Sequence, residues 1–335
     1  MGIEKLKMRN KKHKIIERII CEIKNNKSFL IVAHDNLDGD ALGAGLALGL
    51  ALTKLNKNAK FLISSQVPEK YRFLPGIKEL AVNSANFIDY DILFSVDTAC
   101  WEQLSTLKPV FFKKHTIINI DHHVDNALFG KINWVCKDAS AAGEQIFELI
   151  DTLGIIDPDI ATCLYTSIIT DTGSFQYSNT TQETHRIVAS LIGKGASPVY
   201  ISRHIYENIP LARLRLIMCA FSTLKTTHNN QIVWLWITNA MYKKSGAKKE
   251  DTEGLIDYLK AIAGVKVAIV FKETLKKNEF RVTFRSKDEN ILVNNIAHHF
   301  NGGGHRAAAG CNVNGTKKET EKKVLRATLE EFNKK

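Results

Sequence analysis

Histidine and aspartate recur at short, fixed intervals in this chain, and together they hold divalent cations through imidazole nitrogen and carboxylate oxygen. The stretch His34-Asp35-Asn36-Leu37-Asp38-Gly39-Asp40 sets one imidazole and three carboxylates within a single loop. Ser95-Val96-Asp97-Thr98 adds a carboxylate, Asp121-His122-His123 a carboxylate beside two imidazoles, and Asp171 another carboxylate ahead of Thr172-Gly173-Ser174. Carboxylates brought close together repel and shift each other's pKa values, a conflict that cations between them remove. Imidazole and carboxylate donors without a thiolate suit Mn2+, and Mg2+ or another divalent ion more loosely, over a structural zinc. His34, Asp38, Asp40, Asp97, His122 and Asp171 exceed what one catalytic ion needs, so two ions are expected, with Asp97 the natural bridge. Two ions about 3.5–4 Å apart activate a water and stabilise both oxygens of an in-line displacement. Asp40 taken alone would be an ordinary acidic helix cap and Asp171 a plain helix end, but neither reading accounts for His34 and Asp38.

For these residues to meet, the segments before them must bring their ends together. Phe29–Ala33, Lys60–Ile63, Ile92–Val96 and Thr116–Ile120 are short apolar, partly β-branched runs separated by helical patterns such as Ala41–Leu55. That alternation predicts an α/β fold with a doubly wound, mainly parallel sheet, which places polar loops at the carboxyl ends of the strands where ligands bind. Helical patterns at Ala141–Leu153, Pro158–Asp171 and Glu183–Lys194 complete a first domain over residues 1–193. Residues 194–212 are punctuated by Gly195, Pro198 and Pro210 and read as a linker. A smaller α+β domain over 213–335 follows, with strands at Gln231–Thr238, Lys266–Lys272 and Glu279–Arg285, a terminal helix from Lys317 to Lys335, and a cleft between the domains.

Composition narrows the class. The six cysteines are scattered without a Cys-x-x-Cys pair, which argues against a zinc ribbon or a disulfide framework and for a cytoplasmic setting. The apolar run Ala41–Leu52 is too short for a bilayer span of about 20 residues, and Glu17, Arg18 and Glu22 break the N-terminal segment into an amphipathic helix and not a secretory core. The net charge of +11 attracts polyanions, although a solvated lysine-rich surface gives the same number.

In order and spacing, His34-x-x-x-Asp38-x-Asp40, Asp97, Asp121-His122-His123 and Asp171 resemble the four motifs of the DHH phosphoesterase superfamily. Asn301-Gly302-Gly303-Gly304-His305-Arg306-Ala307-Ala308-Ala309-Gly310 resembles the Gly-Gly-Gly-His signature of the DHH-associated C-terminal domain. The resemblance implies one Mn2+ at His34, Asp38 and Asp97 and another at Asp40, Asp97, His122 and Asp171. It implies that His123 contacts the scissile phosphate and assists the leaving group. Arg285 and the loop of Gly302, Gly303, Gly304 and His305 would then bind the remote part of the substrate. The chemistry fits, because a glycine run exposes N–H groups to phosphate and Arg grips phosphate oxygens in a fork.

Within the superfamily, the two-domain layout and Pro68–Gly76 look most like the nanoRNase/pAp phosphatase group. That likeness implies hydrolysis of short RNA oligonucleotides to mononucleotides and of 3′-phosphoadenosine 5′-phosphate (pAp) to AMP and phosphate. It implies small-nucleotide and short-RNA partners, no membrane partner, and is compatible with a homodimer. The group often carries serine or threonine where this chain reads Ser140-Ala141-Ala142-Gly143-Glu144, so two hydroxyl donors are absent, with consequences for substrate preference if they hold a phosphate.

Three alternatives stand beside this reading. Cleavage of cyclic-di-AMP or pApA would use the same metals and cradle, and an inactive small-nucleotide sensor would keep the fold alone. A pyrophosphatase of the same superfamily would carry a basic motif in place of the Gly-Gly-Gly-His loop. Gly43-Ala44-Gly45 and Gly49 have the wrong spacing for a dinucleotide cofactor and read as close helix packing. Trp234 and Trp236 alternate on a predicted strand, which fits packing better than base stacking. His298 and His299 fall in a helical stretch and are given at most a secondary role, and Tyr71 and Phe73 are open to either reading.

Overall fold

Strand β1 shows why the first sheet forms: Phe29 and Ile31 enter one apolar cluster while Leu30 and Val32 enter another, so both faces of the strand are buried. Such a strand reads as an unbroken apolar run, as strands of parallel sheets do. The computed structural model describes residues 2–82, 90–104 and 116–334 and falls into two units, Met1–Asn208 and Ile209–Lys335.

The first unit runs α1 (Gly2–Asn25), β1 (Ser28–Val32), α2 (Gly39–Lys54), β2 (Asn58–Leu62), α3 (Ile77–Leu80), β3 (Ala81–Val82), β4 (Ile92–Val96), β5 (Thr116–Asp121), β6 (Ile132–Val135), α4 (Ala142–Thr152), α5 (Pro158–Asp171), α6 (Gln182–Gly193) and α7 (Pro198–Tyr206). Its sheet has the order β3-β2-β1-β4-β5-β6 with every pairing parallel. The chain leaves β1 toward β2 and leaves β4 toward β5, on the opposite side, so a topological switch point lies between β1 and β4. Helix α1 buries Ile16, Ile19 and Ile23, with the partly buried Ile15 and Ile20 packed beside them. Residues 194–212, read from sequence as a linker, contain α7, which packs in the first unit through the stacked rings of His204 and Phe73, 4.5 Å apart.

Helix α2 is buried on nearly all sides. Its glycines make that packing feasible: a Cβ at Gly43 would lie 2.4 Å from the Cys163 carbonyl oxygen of α5, and one at Gly45 would lie 2.6 Å from the Phe61 ring. Those glycines therefore serve helix packing, as the sequence suggested. No described helix is long and apolar enough to cross a membrane, and all six cysteines are unpaired.

The second unit contains α8 (Leu211–Phe221), β7 (Lys225–Thr227), β8 (Ile232–Ile237), α9 (Asn239–Ser245), α10 (Leu255–Ala261), β9 (Val267–Glu273), β10 (Glu279–Ser286), α11 (Val293–His298), β11 (Gly303–His305), β12 (Ala308–Asn314) and α12 (Lys317–Phe332). Its mixed sheet has the order β11-β12-β10-β9-β8-β7, with β8 and β9 parallel and the remaining pairs antiparallel. Trp234 and Trp236 lie inside this unit. Trp236 stacks on Phe271 at 4.4 Å and donates Nε1–H to Glu321, so both tryptophans are core residues and offer no platform for a base.

Candidate metal centre

The carboxyl ends of β1, β4 and β5, three neighbouring strands, carry the His/Asp clusters. His34 follows β1, Asp97 follows β4 directly, and Asp121 closes β5 ahead of His122 and His123. Asp38 caps α2 by accepting the Ala41 N–H at 3.0 Å, so the acidic cap of this helix is not Asp40. Asp40 sits in the first helical turn and is buried. Its carboxylate accepts the N–H groups of Ala142 at 2.7 Å and Gly143 at 3.1 Å and the hydroxyl of Ser167. The N-cap of α4 is Ala141, whose side chain cannot accept a hydrogen bond, and Asp40 satisfies the first-turn donors from a different helix.

This arrangement depends on Gly143, because a Cβ there would lie 1.9 Å from Ser167 Oγ. Gly143→Ala is expected to displace Ser167 and Asp40 together and to destabilise the unit by about 1–3 kcal/mol. Thermal denaturation checks this, at roughly 2–4 °C for each kcal/mol; an unchanged midpoint would show that the contact relaxes freely. Ala141 and Ala142 are wholly buried. A hydroxyl at either position would face protein, and the main-chain N–H of Ala142 already serves Asp40.

Around Asp97 the groups converge. His34 Nε2 lies 3.2 Å from Asp97 Oδ2 and 3.7 Å from Asp38 Oδ2. His122 Nε2 lies 3.5 Å from Asp97 Oδ1 and 3.6 Å from both Asp40 Oδ2 and Asp171 Oδ2. Three groups have their donor atoms close enough to share an ion: His34, Asp38 and Asp97; Asp40, His122 and Asp171; and Asp97, His122 and His123. Asp97 belongs to two of them. It is buried, adopts a left-handed φ of 52°, and its Oδ1 accepts no hydrogen bond. Asp tolerates that backbone better than most residues, and strain of this kind gathers at functional sites. A buried carboxylate oxygen without a donor is what a cation would satisfy, so the residues present fit a divalent ion.

Tautomers support the same fit. His122 Nδ1 lies 3.3 Å from the Ala139 carbonyl oxygen, the partner for an Nδ1–H donor, which leaves the Nε2 lone pair facing the carboxylates. His123 places Nδ1 at 2.7 Å from Asp121 Oδ1. The fully buried Asp121 is fixed in turn by Asn126, whose Nδ2 donates to Asp121 Oδ2 at 2.5 Å and to Asn119 Oδ1 at 2.9 Å. Ser167, Asp121 and Asn126 were not assigned roles from sequence. Ser167 stands one helical turn before Asp171 on the same face of α5, a spacing that could have suggested it.

Charge crowding is visible in the protonation of these groups. Burial, with the charges of Asp97 and Asp171, raises Asp40 well above the usual carboxylate range, and burial raises Asp171 to about 6. Burial disfavours the charge on both His122 and Asp97, but their mutual contact and the surrounding carboxylates prevail, lifting His122 to about 10 and lowering Asp97. At pH 7 a proton therefore sits where an ion would bind. Divalent-ion uptake is expected to release at least one proton and to tighten as pH rises from 6 toward 9. Titration calorimetry in two buffers of different ionisation enthalpy measures this, and heats independent of buffer would contradict it.

A 470 Å3 cavity opens beside the cluster, lined by His34, Asp35, Asn36, Asp38, Glu102, Gln103 and His123. In the second unit, Arg285 is half-buried and His305 exposed. The glycine run, read from sequence as a loop, is in part the edge strand β11, paired with β12 through Gly303↔Gly310 and His305↔Ala308. Gly302 allows this close approach, since a Cβ there would lie 2.3 Å from the Gly310 carbonyl oxygen. His298 and His299 are exposed at the end of α11, whereas Tyr71 is core.

Comparison with known proteins agrees with this architecture. Residues 28–168 match the model of the DHH family N-terminal domain and residues 229–335 that of the DHHA1 domain. The chain is 30% identical over 304 residues to a Thermus thermophilus protein named bifunctional oligoribonuclease and PAP phosphatase NrnA, covering 90% of this chain and 89% of that one. A Bacillus subtilis protein of the same name is 26% identical over 264 residues, covering 75% and 82%. The crystal structure of an exopolyphosphatase-related protein from Bacteroides fragilis superposes with a TM-score of 0.88 at 25% identity, covering 95% of this chain and 96% of that one. Two unbroken domain matches and a 30% identical relative aligned over nine-tenths of the chain establish that this protein belongs to the DHH family of phosphoesterases.

Proposed function

We propose that this protein is a Mn2+-dependent phosphoesterase that cleaves short RNA oligonucleotides to mononucleotides and converts pAp to AMP and phosphate. The observation that carries the reading is the convergence of two His/Asp groups on the buried, hydrogen-bond-deficient carboxylate of Asp97. The names of relatives aligned over most of the chain support the substrate class.

In this reading His34, Asp38 and Asp97 hold one ion, and Asp40, Asp97, His122 and Asp171 the other. The bound ions supply electrostatic stabilisation of phosphate charge and a water of lowered pKa. The protein's own groups do the rest. Ala142, Gly143 and Ser167 keep the Asp40 carboxylate aimed into the centre, and Ala139 keeps His122 Nε2 turned inward. His123, with Nδ1 engaged by Asp121, presents Nε2 to the scissile phosphate and protonates the leaving oxygen. Residues 1–193 supply this chemistry, and Arg285 with Gly302, Gly303, Gly304 and His305 binds the non-reacting part of the nucleotide.

Product analysis with the Mn2+-loaded protein on pAp, RNAs of two to five nucleotides, pApA and cyclic-di-AMP tests the assignment. Release of phosphate from pAp and mononucleotides from RNA is expected. Preference for cyclic-di-AMP would move the protein to second-messenger turnover, and tight binding without turnover would make it a sensor. Arg285→Ala is expected to raise KM for nucleotides about tenfold or more, the scale of one charged hydrogen bond, while sparing a small generic phosphodiester. Equal loss on both substrates would assign Arg285 to the fold.

A further inference from the structure

Residues 172–180, between α5 and α6, follow a strained path. Gly173, Ser174 and Phe175 succeed one another with left-handed φ of 54°, 59° and 65°. Glycine adopts that backbone freely, but a serine and a bulky aromatic side by side there do so only when their surroundings hold them. The surroundings do hold them. The Phe175 N–H donates to Thr172 Oγ1 at 3.1 Å, and its ring packs against Tyr165 and His185. The N–H groups of Gln176 and Tyr177 both donate to the Thr172 carbonyl oxygen at 3.0 Å, and the Tyr177 ring lies so close to Gly173 that a Cβ there would meet it at 2.4 Å. This reversal turns the chain back toward the end of α5, and the side chain it delivers there is that of Asn179.

Asn179 Nδ2 donates to two main-chain carbonyls, Asp171 at 3.1 Å and Ser140 at 2.9 Å. Two acceptors fix which way the amide is turned, since its oxygen has nothing to offer them. Both carbonyls belong to the metal centre. Asp171 is the last residue of α5, so its carbonyl has no helical partner, and its carboxylate faces His122 Nε2. Ser140 lies within residues 139–143, where the Ala139 carbonyl engages His122 Nδ1 and the N–H groups of Ala142 and Gly143 hold Asp40. One amide thus ties the segment behind Asp40 and His122 to the residue that carries the Asp171 carboxylate, and these three side chains are the members of one ligand group. Among the described residues no hydrogen bond of Asn179 reaches the other group, His34, Asp38 and Asp97.

We propose that Asn179 is the positioning residue for one of the two ions, the one assigned to Asp40, Asp97, His122 and Asp171. Asp40 and Asp171 both lie 3.6 Å from His122 Nε2, and like charges gathered this closely push their elements apart. A strut between the end of α5 and the start of α4 resists that separation, so the ion meets its ligands already in place and the binding energy is not spent on reassembling them. His34, Asp38 and Asp97 follow or cap elements of the sheet layer that Asn179 does not touch, and their ion is independent of it. The inference rests on the two-ion reading above and gives the two ions different supports.

Asn179→Ala removes both donors, and Asn179→Leu removes them while filling the same space. Calorimetric titration of the metal-free, full-length protein with Mn2+ counts the ions, and low-temperature electron paramagnetic resonance reports whether two Mn2+ lie close enough for their spins to couple. The wild type is expected to take up two ions and to give the coupled spectrum. In both variants one ion should bind as in the wild type and the other about 10–100-fold more weakly, the usual effect of losing a group that orients metal ligands. The coupled spectrum should therefore vanish at the Mn2+ concentration that saturates the wild type and return in excess Mn2+, and turnover of pAp should recover with it. Equal weakening of both ions would make Asn179 a residue of the fold at large, and unchanged binding of both would leave it no part in the centre; either result overturns the inference while the two-ion reading stands. A wild-type protein that takes up a single ion, with no coupled spectrum, would overturn the two-ion reading and the inference with it.

Discussion

Asp97→Asn is expected to lower turnover of every substrate about a thousandfold or more, the largest effect of any single substitution. The magnitude follows from losing several kcal/mol of charge stabilisation at a rate of one decade per 1.4 kcal/mol. Asp97 alone belongs to both the His34 group and a His122 group, and it is buried, so no neighbouring carboxylate can take its place. Asparagine tolerates the left-handed backbone at this position, which makes the substitution a test of charge with the fold retained. A second readout comes from thermal denaturation. Saturating Mn2+ should raise wild-type stability by about 2.7 kcal/mol at a hundred times Kd, and the variant should lose most of that increment. A variant with wild-type turnover and an intact Mn2+ shift would refute the assignment of Asp97 as the shared ligand.

His123→Ala should cost about 10^2–10^4 in kcat, the range of a general acid, while leaving the Mn2+-dependent stabilisation in place. The geometry separates the neighbouring imidazoles: His122 turns Nε2 toward three carboxylates, whereas His123 turns Nδ1 toward the buried Asp121. That bond raises the His123 pKa against the opposing effect of burial, so the protonated, donating form persists to higher pH. Activity is then lost as pH rises through that pKa. Asp121→Asn replaces an anion by a neutral amide, so the alkaline limb of the pH–rate profile should move to lower pH, with a loss of about 10–100-fold near neutrality. An unmoved limb in Asp121→Asn would show that the acid is another group. Loss of the Mn2+ shift in His123→Ala would instead make His123 a ligand, in keeping with its place 3.7 Å from Asp97 Oδ1.

Much of the fold was legible because its signals are local. Apolar β-branched runs announced β1, β2, β4 and β5, and the strands β8, β9 and β10 were found within a residue or two at their ends. Short or glycine-rich strands were missed. Neither β6, with four residues, nor β11, with two glycines among its three, offers the period or propensity that marks a strand, and β11 exists through its pairing with β12. Residues 198–206, marked by Pro198 as a break, begin a helix there, since proline suits a first helical turn as well as a linker.

The sequence by itself determined which side chains are present and on which kind of element each stands: imidazole and carboxylate after parallel strands, glycines along α2, two arginines four residues apart along β10. Tertiary structure decided what each one meets. Strand order brought the ends of β1, β4 and β5 side by side at the switch point. The close α2–α5 packing and the capless start of α4 made Asp40 a buried carboxylate held by Ser167 and two backbone N–H groups. Cross-strand register set Lys272 against Arg281. Periodicity is written in neighbours a few residues apart, whereas these encounters join residues tens or hundreds of positions apart, and only chain packing fixes which of them touch.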